Sequence, residues 1–223
     1  MKKLVIFDLD GTLLDTIADL ADAANYALKQ LGHPTHPVDT IRTYVGNGIN
    51  KLLERALPES ERNEENVMRM RSHFVPYYDA HNADLSVPYP GIVALLEALQ
   101  AKGVRIAVAS NKYQAATEKL VKHYFPTIRF VEVLGQREGI PVKPNPSIVS
   151  DILTKANVSP EETLYVGDSG VDMQTAINAG VDAVGVTWGF RPRAELETFS
   201  PKGIIEKAEE LQNYLPYMKF IRK

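Results

Sequence analysis

The chain has 223 residues, 44% of them hydrophobic and 24% charged, with a net charge of -3 and no cysteine. That is an ordinary globular composition with apolar residues enough for a sizeable core. The absence of cysteine excludes disulfides, zinc–thiolate sites and thiol nucleophiles, and a mildly acidic chain without a basic stripe offers no electrostatic case for nucleic acid.

The first apolar run, residues 4–9, carries Asp8 and Asp10 at its end, followed by Gly11, Thr12 and Leu13. Lys2 and Lys3 precede it, but the run is too short for a signal peptide. No stretch stays apolar for the ~18 residues a membrane span needs. A cytoplasmic protein without a membrane partner is expected, and the Asn157-Val158-Ser159 sequon is read as chance.

From Asp15 to about Pro88 no strand pattern is evident. Ile17, Leu20, Ala21, Ala24, Ala27, Leu28 and Leu31 share a helix face that Gly32 closes. Leu52, Leu53, Ala56 and Leu57 suggest a second helix. Val67, Met70, Phe74 and Tyr77 or Tyr78 suggest a third, with Pro76 expected to disturb it. Pro88, Pro90 and Gly91 read as the return hinge.

Beyond that hinge, strands are expected at 104–109, 128–134, 163–166 and 183–187. Helical faces lie between them: Ile92, Leu95, Leu96 and Leu99; Ile148, Ile152, Leu153 and Ala156; Met173, Ala176 and Ile177. Nearly continuous apolar strands suit a parallel sheet buried on both faces, and the alternation implies right-handed crossovers. The expected architecture is α/β: a doubly wound, Rossmann-like parallel sheet built from 1–14 and 89–223, interrupted by an all-helical insert at 15–88.

Polar residues gather where strands end. Asp8 and Asp10 close the first strand, Ser110 and Asn111 follow the second, Lys143 lies after the third, and Gly167-Asp168 follow the fourth. These are C-terminal edges, where open parallel sheets bind ligands. Asp8 and Asp10 can start on one side of a strand and would repel unless one is protonated or a cation intervenes. With Asp168 and Asp172 added, and neither cysteine nor histidine nearby, the set suits a hard cation, Mg²⁺ above all, whose shell is completed by substrate phosphate and water. Each element alone has a bland reading: a turn for Asp-Leu-Asp-Gly, helix caps for Ser110-Asn111 and Asp168-Ser169, a solvated loop for Lys143-Pro144. Their convergence on one rim argues for a site.

The same residues carry a resemblance that spans nearly the whole chain. Asp8-Leu9-Asp10-Gly11-Thr12-Leu13, Ser110, Lys143, and Gly167-Asp168-Ser169 with Asp172 resemble, in order, the four motifs of haloacid dehalogenase (HAD) superfamily phosphatases. The insert resembles the helical cap of one branch, and the segment from Arg42 through Gly46-Asn47-Gly48 to Leu57 is similar to the cap of phosphoglycolate phosphatases. The resemblance implies that Asp8 is a nucleophile forming an aspartyl-phosphate and Asp10 an acid and base. It implies Mg²⁺ held by Asp8, the Asp10 carbonyl and Asp168, with Asp172 and Ser169 in support. Lys143, Ser110, and N–H groups near Leu9, Asn111 and Lys112 would face the phosphoryl oxygens, aided by a helix starting near Lys112. Thr12 would buttress the loop, and Gly46, Asn47 and Gly48 would bring the cap to a small phosphorylated metabolite, 2-phosphoglycolate in the first instance.

Other readings stay open: a pyrophosphatase, a sugar-phosphate phosphatase or phosphomutase on the same scaffold, or a non-catalytic phospho-ligand sensor. Asp10 argues against dehalogenase and phosphonate-cleaving relatives, which lack it, and so against Lys51 as a cap lysine of the latter kind. No phosphate-cradling P-loop is present. The five histidines show no metal-ligand spacing, Trp188 is assigned to packing, and Arg191 and Arg193 to solvated loops. With no heptad or apolar stripe demanding a partner, a monomer is expected.

Overall fold

A computed structural model describes residues 2–215. In chain order it contains β1 (Leu4–Phe7), β2 (Leu14–Asp15), α1 (Ile17–Gln30), α2 (Val38–Tyr44), α3 (Ile49–Ala56), α4 (Glu64–His81), β3 (Val87–Pro88), α5 (Ile92–Ala101), β4 (Arg105–Tyr113), α6 (Gln114–Tyr124), β5 (Phe130–Gln136), α7 (Ser147–Ala156), β6 (Thr163–Gly167), α8 (Gly170–Ala179), β7 (Asp182–Val186), α9 (Arg193–Glu197) and β8 (Gly203–Ile205), with short 3-10 turns between.

The main sheet has six strands in the order β5-β4-β1-β6-β7-β8, every neighbouring pair parallel. β1 is central because all four of its residues are apolar and both of its faces must be covered. Val5 and Phe7 join Leu95, Leu96, Leu99 and Leu120 of α5 and α6 in one cluster; Leu4 and Ile6 join Ile148, Ile152, Met173 and Ala176 of α7 and α8 in another. Strand order reverses at β1, so its C-terminal end opens a crevice between β4 and β6.

The segment between β1 and α5 packs separately. Ile17, Leu20, Ala24, Leu28, Ile41, Leu52, Leu53, Met70, Phe74 and Tyr78 form a third apolar cluster, to which α6 contributes Ala116. The chain leaves and returns through one antiparallel ribbon, Leu14 opposite Pro88 and Asp15 opposite Val87. Asp19, buried in α1, fastens the returning strand by accepting from Ser86 N–H (2.8 Å) and Ser86 Oγ (2.6 Å).

Several sequence expectations are corrected. The strand pattern missed β8 and the β2–β3 ribbon, all three residues or fewer, too short for a period to register. β4 runs on to Tyr113 rather than ending at Ala109. Helix α4 passes through Pro76 unbroken; Ser72 and Pro76 are both exposed, so the carbonyl that loses its partner lies on the solvent side. Ile177 is exposed rather than on the buried face of α8, and Val149 takes the buried place expected for Leu153.

Candidate active site

The turn after β1 is built on one carbonyl. Leu9 O accepts from the N–H groups of Thr12 (3.2 Å), Leu13 (3.0 Å) and Leu14 (3.0 Å). Asp8 N–H still bonds Val166 O at 2.9 Å, so the turn starts as the strand ends and throws Asp8 and Asp10 into the crevice. Both therefore lie just past β1, not within it. Gly11 sits at φ +81°, and a Cβ there would collide with the Asp168 carboxylate; only glycine lets the turn lie against that residue.

The two carboxylates of the turn meet different surroundings. Asp8 Oδ1 accepts from Leu9 N–H at 2.7 Å and stands 3.0 Å from Lys143 Nζ. Asp10 Oδ1 accepts from Thr16 Oγ1 at 2.7 Å and stands 3.2 Å from Lys112 Nζ.

Behind Asp8 lies a buried hub. Lys143 Nζ donates to Asp172 Oδ1 (2.7 Å), Ala109 O (2.9 Å) and Tyr165 Oη (3.1 Å). Burial alone would pull its pKa down, but Asp172 and Asp8 outweigh that and hold the ammonium well above the ordinary lysine range. Asp172 is placed by a capping box at the start of α8: Ser169 Oγ donates to its Oδ2 at 2.6 Å, and Asp172 N–H points back at Ser169 Oγ. The backbone of Lys143 is placed by Asn111, whose Oδ1 accepts from Lys143 N–H (2.8 Å) and whose Nδ2 donates to Lys143 O (3.1 Å) and to Gly46 O (2.9 Å).

Asp168 leads out of β6. Its Oδ1 accepts from Thr12 Oγ1 (3.1 Å) and its Oδ2 from Phe190 N–H (2.7 Å). Oxygens of Asp8, Asp168 and Asp172 lie within 4.8 Å of one another. This crowding, with burial, sets the direction in which each group's pKa moves. Burial, then Asp172, raise Asp8 well above the carboxylate range even against Lys143. Asp168 is pushed up to about 7, by burial first and Asp172 second, against the opposing bonds from Phe190 and Thr12. Buried carboxylates that resist ionisation in one another's company fit a hard divalent cation. Of the three, Asp8 and Asp168 line the open pocket, while Asp172 is wholly buried against Lys143 and Ser169, which leaves Asp8 and Asp168 as the carboxylates suited to hold it. The Asp10 carboxylate is not one of this cluster; its Oδ1 is engaged by Thr16 and Lys112.

A pocket of about 630 Å³, counting its mouth, opens over these groups. Asp8, Asp10, Ser110, Asn111, Lys112, Asp168 and Ser169 line it from the sheet side. Gly46, Gly48, Leu20, Ile49, Leu52, Phe74 and Tyr78 line it from the helical segment. Thr12 and Lys143 lie beneath the floor, and Asn47, though half-buried, is not on the wall. Gly48, at φ +83°, caps the start of α3, and a Cβ there would come within 3.0 Å of Gln136 Oε1 and 3.5 Å of Asn111 O.

Three expectations are revised here. α6 begins at Gln114, two residues later than read, because Ser110, Asn111 and Lys112 continue β4. The N–H groups of Leu9 and Lys112 are engaged by Asp8 Oδ1 and Ser110 Oγ (3.2 Å) rather than left open to a ligand. Arg191 is no solvated residue: it donates to Arg42 O (2.9 Å), Thr43 O (3.2 Å) and Val45 O (2.5 Å), gripping the end of α2. Trp188 does pack, against Tyr89, while its Nε1–H bonds Thr12 O at 3.0 Å. Sequence reasoning did not single out Tyr165, Phe190 or the pocket role of Tyr78. The first two carry no pattern that marks them, since an aromatic on a strand or loop reads as packing.

Comparison with known proteins follows the same lines. The model of the haloacid dehalogenase-like hydrolases matches residues 5–186. A phosphoglycolate phosphatase of Psychrobacter arcticus is 33% identical over 220 residues, covering 96% of this chain and 96% of that protein. One from Vibrio parahaemolyticus is 35% identical over 214 residues, with 94% of each chain covered. Among solved structures, a candidate phosphoglycolate phosphatase from Lactobacillus delbrueckii subsp. bulgaricus superposes with a TM-score of 0.90 at 35% identity, covering 98% of this chain and 100% of that one. The shared sheet edge, the four converging segments and this likeness along nearly the full length make the chain a member of the haloacid dehalogenase-like hydrolases.

Proposed function

We propose that the chain is a phosphatase that hydrolyses a small phosphomonoester through an aspartyl-phosphate on Asp8, with 2-phosphoglycolate as the substrate. The observation that carries this reading is the contrast between the two carboxylates of one turn: Asp8 faces Lys143 and the buried acidic cluster, and Asp10 faces Thr16 and Lys112 in the pocket. A nucleophile and a proton donor need such different settings.

In the first step an Asp8 oxygen bonds phosphorus, the ester P–O bond breaks, and Asp10 gives its proton to the departing alkoxide. In the second, Asp10 takes a proton from the water that attacks phosphorus, the bond to Asp8 breaks, and phosphate leaves. Lys143 favours the ionised form of Asp8, and Asp172 keeps Lys143 aimed. Ser110, which lines the pocket, would donate to a phosphoryl oxygen. Asp8, Asp168 and the Asp10 carbonyl would hold Mg²⁺, whose charge offsets the repulsion between carboxylates and phosphoryl group.

Residues 15–88 serve in this reading as a cap over a core of 1–14 and 89–223. Its apolar wall of Leu20, Ile49, Leu52 and Phe74 excludes bulk water from the intermediate. The substrate assignment is supported by the relatives named above, similar along almost their entire length.

The test is phosphate release with Mg²⁺ from 2-phosphoglycolate, pyrophosphate and sugar phosphates. Preference for 2-phosphoglycolate, lost by ~10³-fold or more in Asp8→Asn, is expected. Release from none of them, or release that Asp8→Asn leaves intact, overturns the reading.

A further inference from the structure

Two cations line the pocket, Lys112 and Arg191. Arg191 is committed to three carbonyls at the end of α2, and Lys143, beneath the floor, to Asp8 and Asp172. Lys112 differs. Its side chain is 3% exposed, and its Nζ donates to Tyr78 Oη at 2.8 Å while lying 4.6 Å from the centre of the Tyr78 ring. Among the described residues, Asp10 is the one carboxylate within ion-pair distance of it.

That pairing has a consequence for the proposed reaction, on which this inference rests. An ammonium has three N–H groups; Tyr78 Oη and Asp10 Oδ1 take two of those of Lys112, which leaves one for an anion in the pocket beside the proposed proton donor. The helical side of the pocket presents Leu20, Ile49, Leu52 and Phe74, which cannot take it. The substrate can.

The distances say where the anion must sit. Asp10 reaches the ester oxygen by a hydrogen bond of ~2.7 Å, and Lys112 Nζ is 3.2 Å from Asp10 Oδ1. A group one carbon beyond the ester oxygen therefore falls within reach of the ammonium. We propose that Lys112 is the specificity-determining residue, its ammonium recognising an anionic group carried by the leaving alcohol one carbon from the ester oxygen. A carboxylate there fits; the hydroxyls of a polyhydroxylated leaving group would meet Leu20, Ile49, Leu52 and Phe74 along the helical side.

The test compares 2-phosphoglycolate with 2-hydroxyethyl phosphate, which has the same chain length and a neutral end. The ratio of kcat/KM for the two esters is read in wild type, Lys112→Met, Lys112→Gln and Lys112→Arg. Wild type should favour the carboxylate by ~100-fold, the loss typical of a buried charge pair broken on one side. The ratio should fall to within about fivefold of unity in Lys112→Met and Lys112→Gln, and Lys112→Arg should restore most of it. The glutamine keeps donors for Tyr78 and Asp10, so it reads the charge alone if the methionine protein does not fold. A ratio unchanged in the neutral variants, with both esters slowed alike, would make Lys112 a support for Asp10 and overturn the proposal. Wild type that hydrolyses both esters equally overturns it too and leaves the phosphatase reading standing. Wild type that hydrolyses neither removes that reading and this proposal with it.

Discussion

Asp172 Oδ1 lies 2.7 Å from Lys143 Nζ, and each side chain is 1% exposed. Asp172→Asn would leave the ammonium buried with Asp8 as its remaining charge partner. Breaking such a pair typically costs about 3–5 kcal/mol, and displacing a supporting group of this kind lowers activity by ~10–100-fold. Urea denaturation and steady-state kinetics of Asp172→Asn should show both losses. A variant as stable and as active as wild type would mean that Lys143 needs no such support.

The raised carboxylates predict how metal and pH are linked. Asp168 moves from an ordinary value of 3.8 to about 7 on folding, and Asp8 moves in the same direction. A carboxyl whose folded pKa is raised favours the folded state below its unfolded pKa, and that contribution is lost as pH rises through the folded value. Without metal, this part of the stability declines between about pH 4 and pH 7. Mg²⁺ requires the ionised forms, so its effect runs the other way. The rise in Tm on adding Mg²⁺ should be small at pH 5 and grow as pH rises through 7. A rise of equal size at every pH would show that these carboxylates do not take up the ion.

Gly11→Ala combines two penalties: φ of +81°, and a Cβ driven into the Asp168 carboxylate. A left-handed non-glycine residue costs ~1 kcal/mol by itself. Displacement of Asp168 should weaken Mg²⁺ binding by ~10-fold or more. Calorimetric titration of Mg²⁺ into both proteins measures it; equal affinities would mean that the turn yields without moving Asp168.

Arg191 ties the loop after β7 to the carbonyls of Arg42, Thr43 and Val45. Arg191→Ala should loosen α2 and α3 from the sheet domain by about 1–3 kcal/mol. Hydrogen exchange across 38–56 should accelerate while the strands of the main sheet stay protected. Lys112–Tyr78, Tyr113–Asp79 and Asn111–Gly46 also cross this boundary, so complete separation is not expected. Uniform exchange in the two proteins would show that the grip of Arg191 adds nothing to theirs.

What the chain announces locally is the fold and the position of its polar groups. An apolar run such as Leu4–Phe7 has two neighbouring faces to cover, so β1 declares itself central; glycines after periodic stretches mark helix ends; a helical stretch without strands between Asp15 and Val87 marks a separate cluster. Asp8, Asp10 and Asp168 follow strand ends closely, Ser110 lies towards the end of β4 and Lys143 in the loop after β5, and in an open parallel sheet those ends share one rim. That much follows from backbone periodicity and chain order.

The partners of those groups do not follow from it. Asp10 and Lys112 are 102 positions apart, Thr12 and Asp168 are 156 apart, and Arg191 and Arg42 are 149 apart. A lysine after Ser110-Asn111 reads alike whether it faces water or a buried tyrosine. Likewise, an arginine in a loop carries no local sign that it will grip a helix end. Such pairings come from side chains meeting across packed layers, where desolvation decides which charges must find a partner, and packing of that kind exists only once the chain is folded.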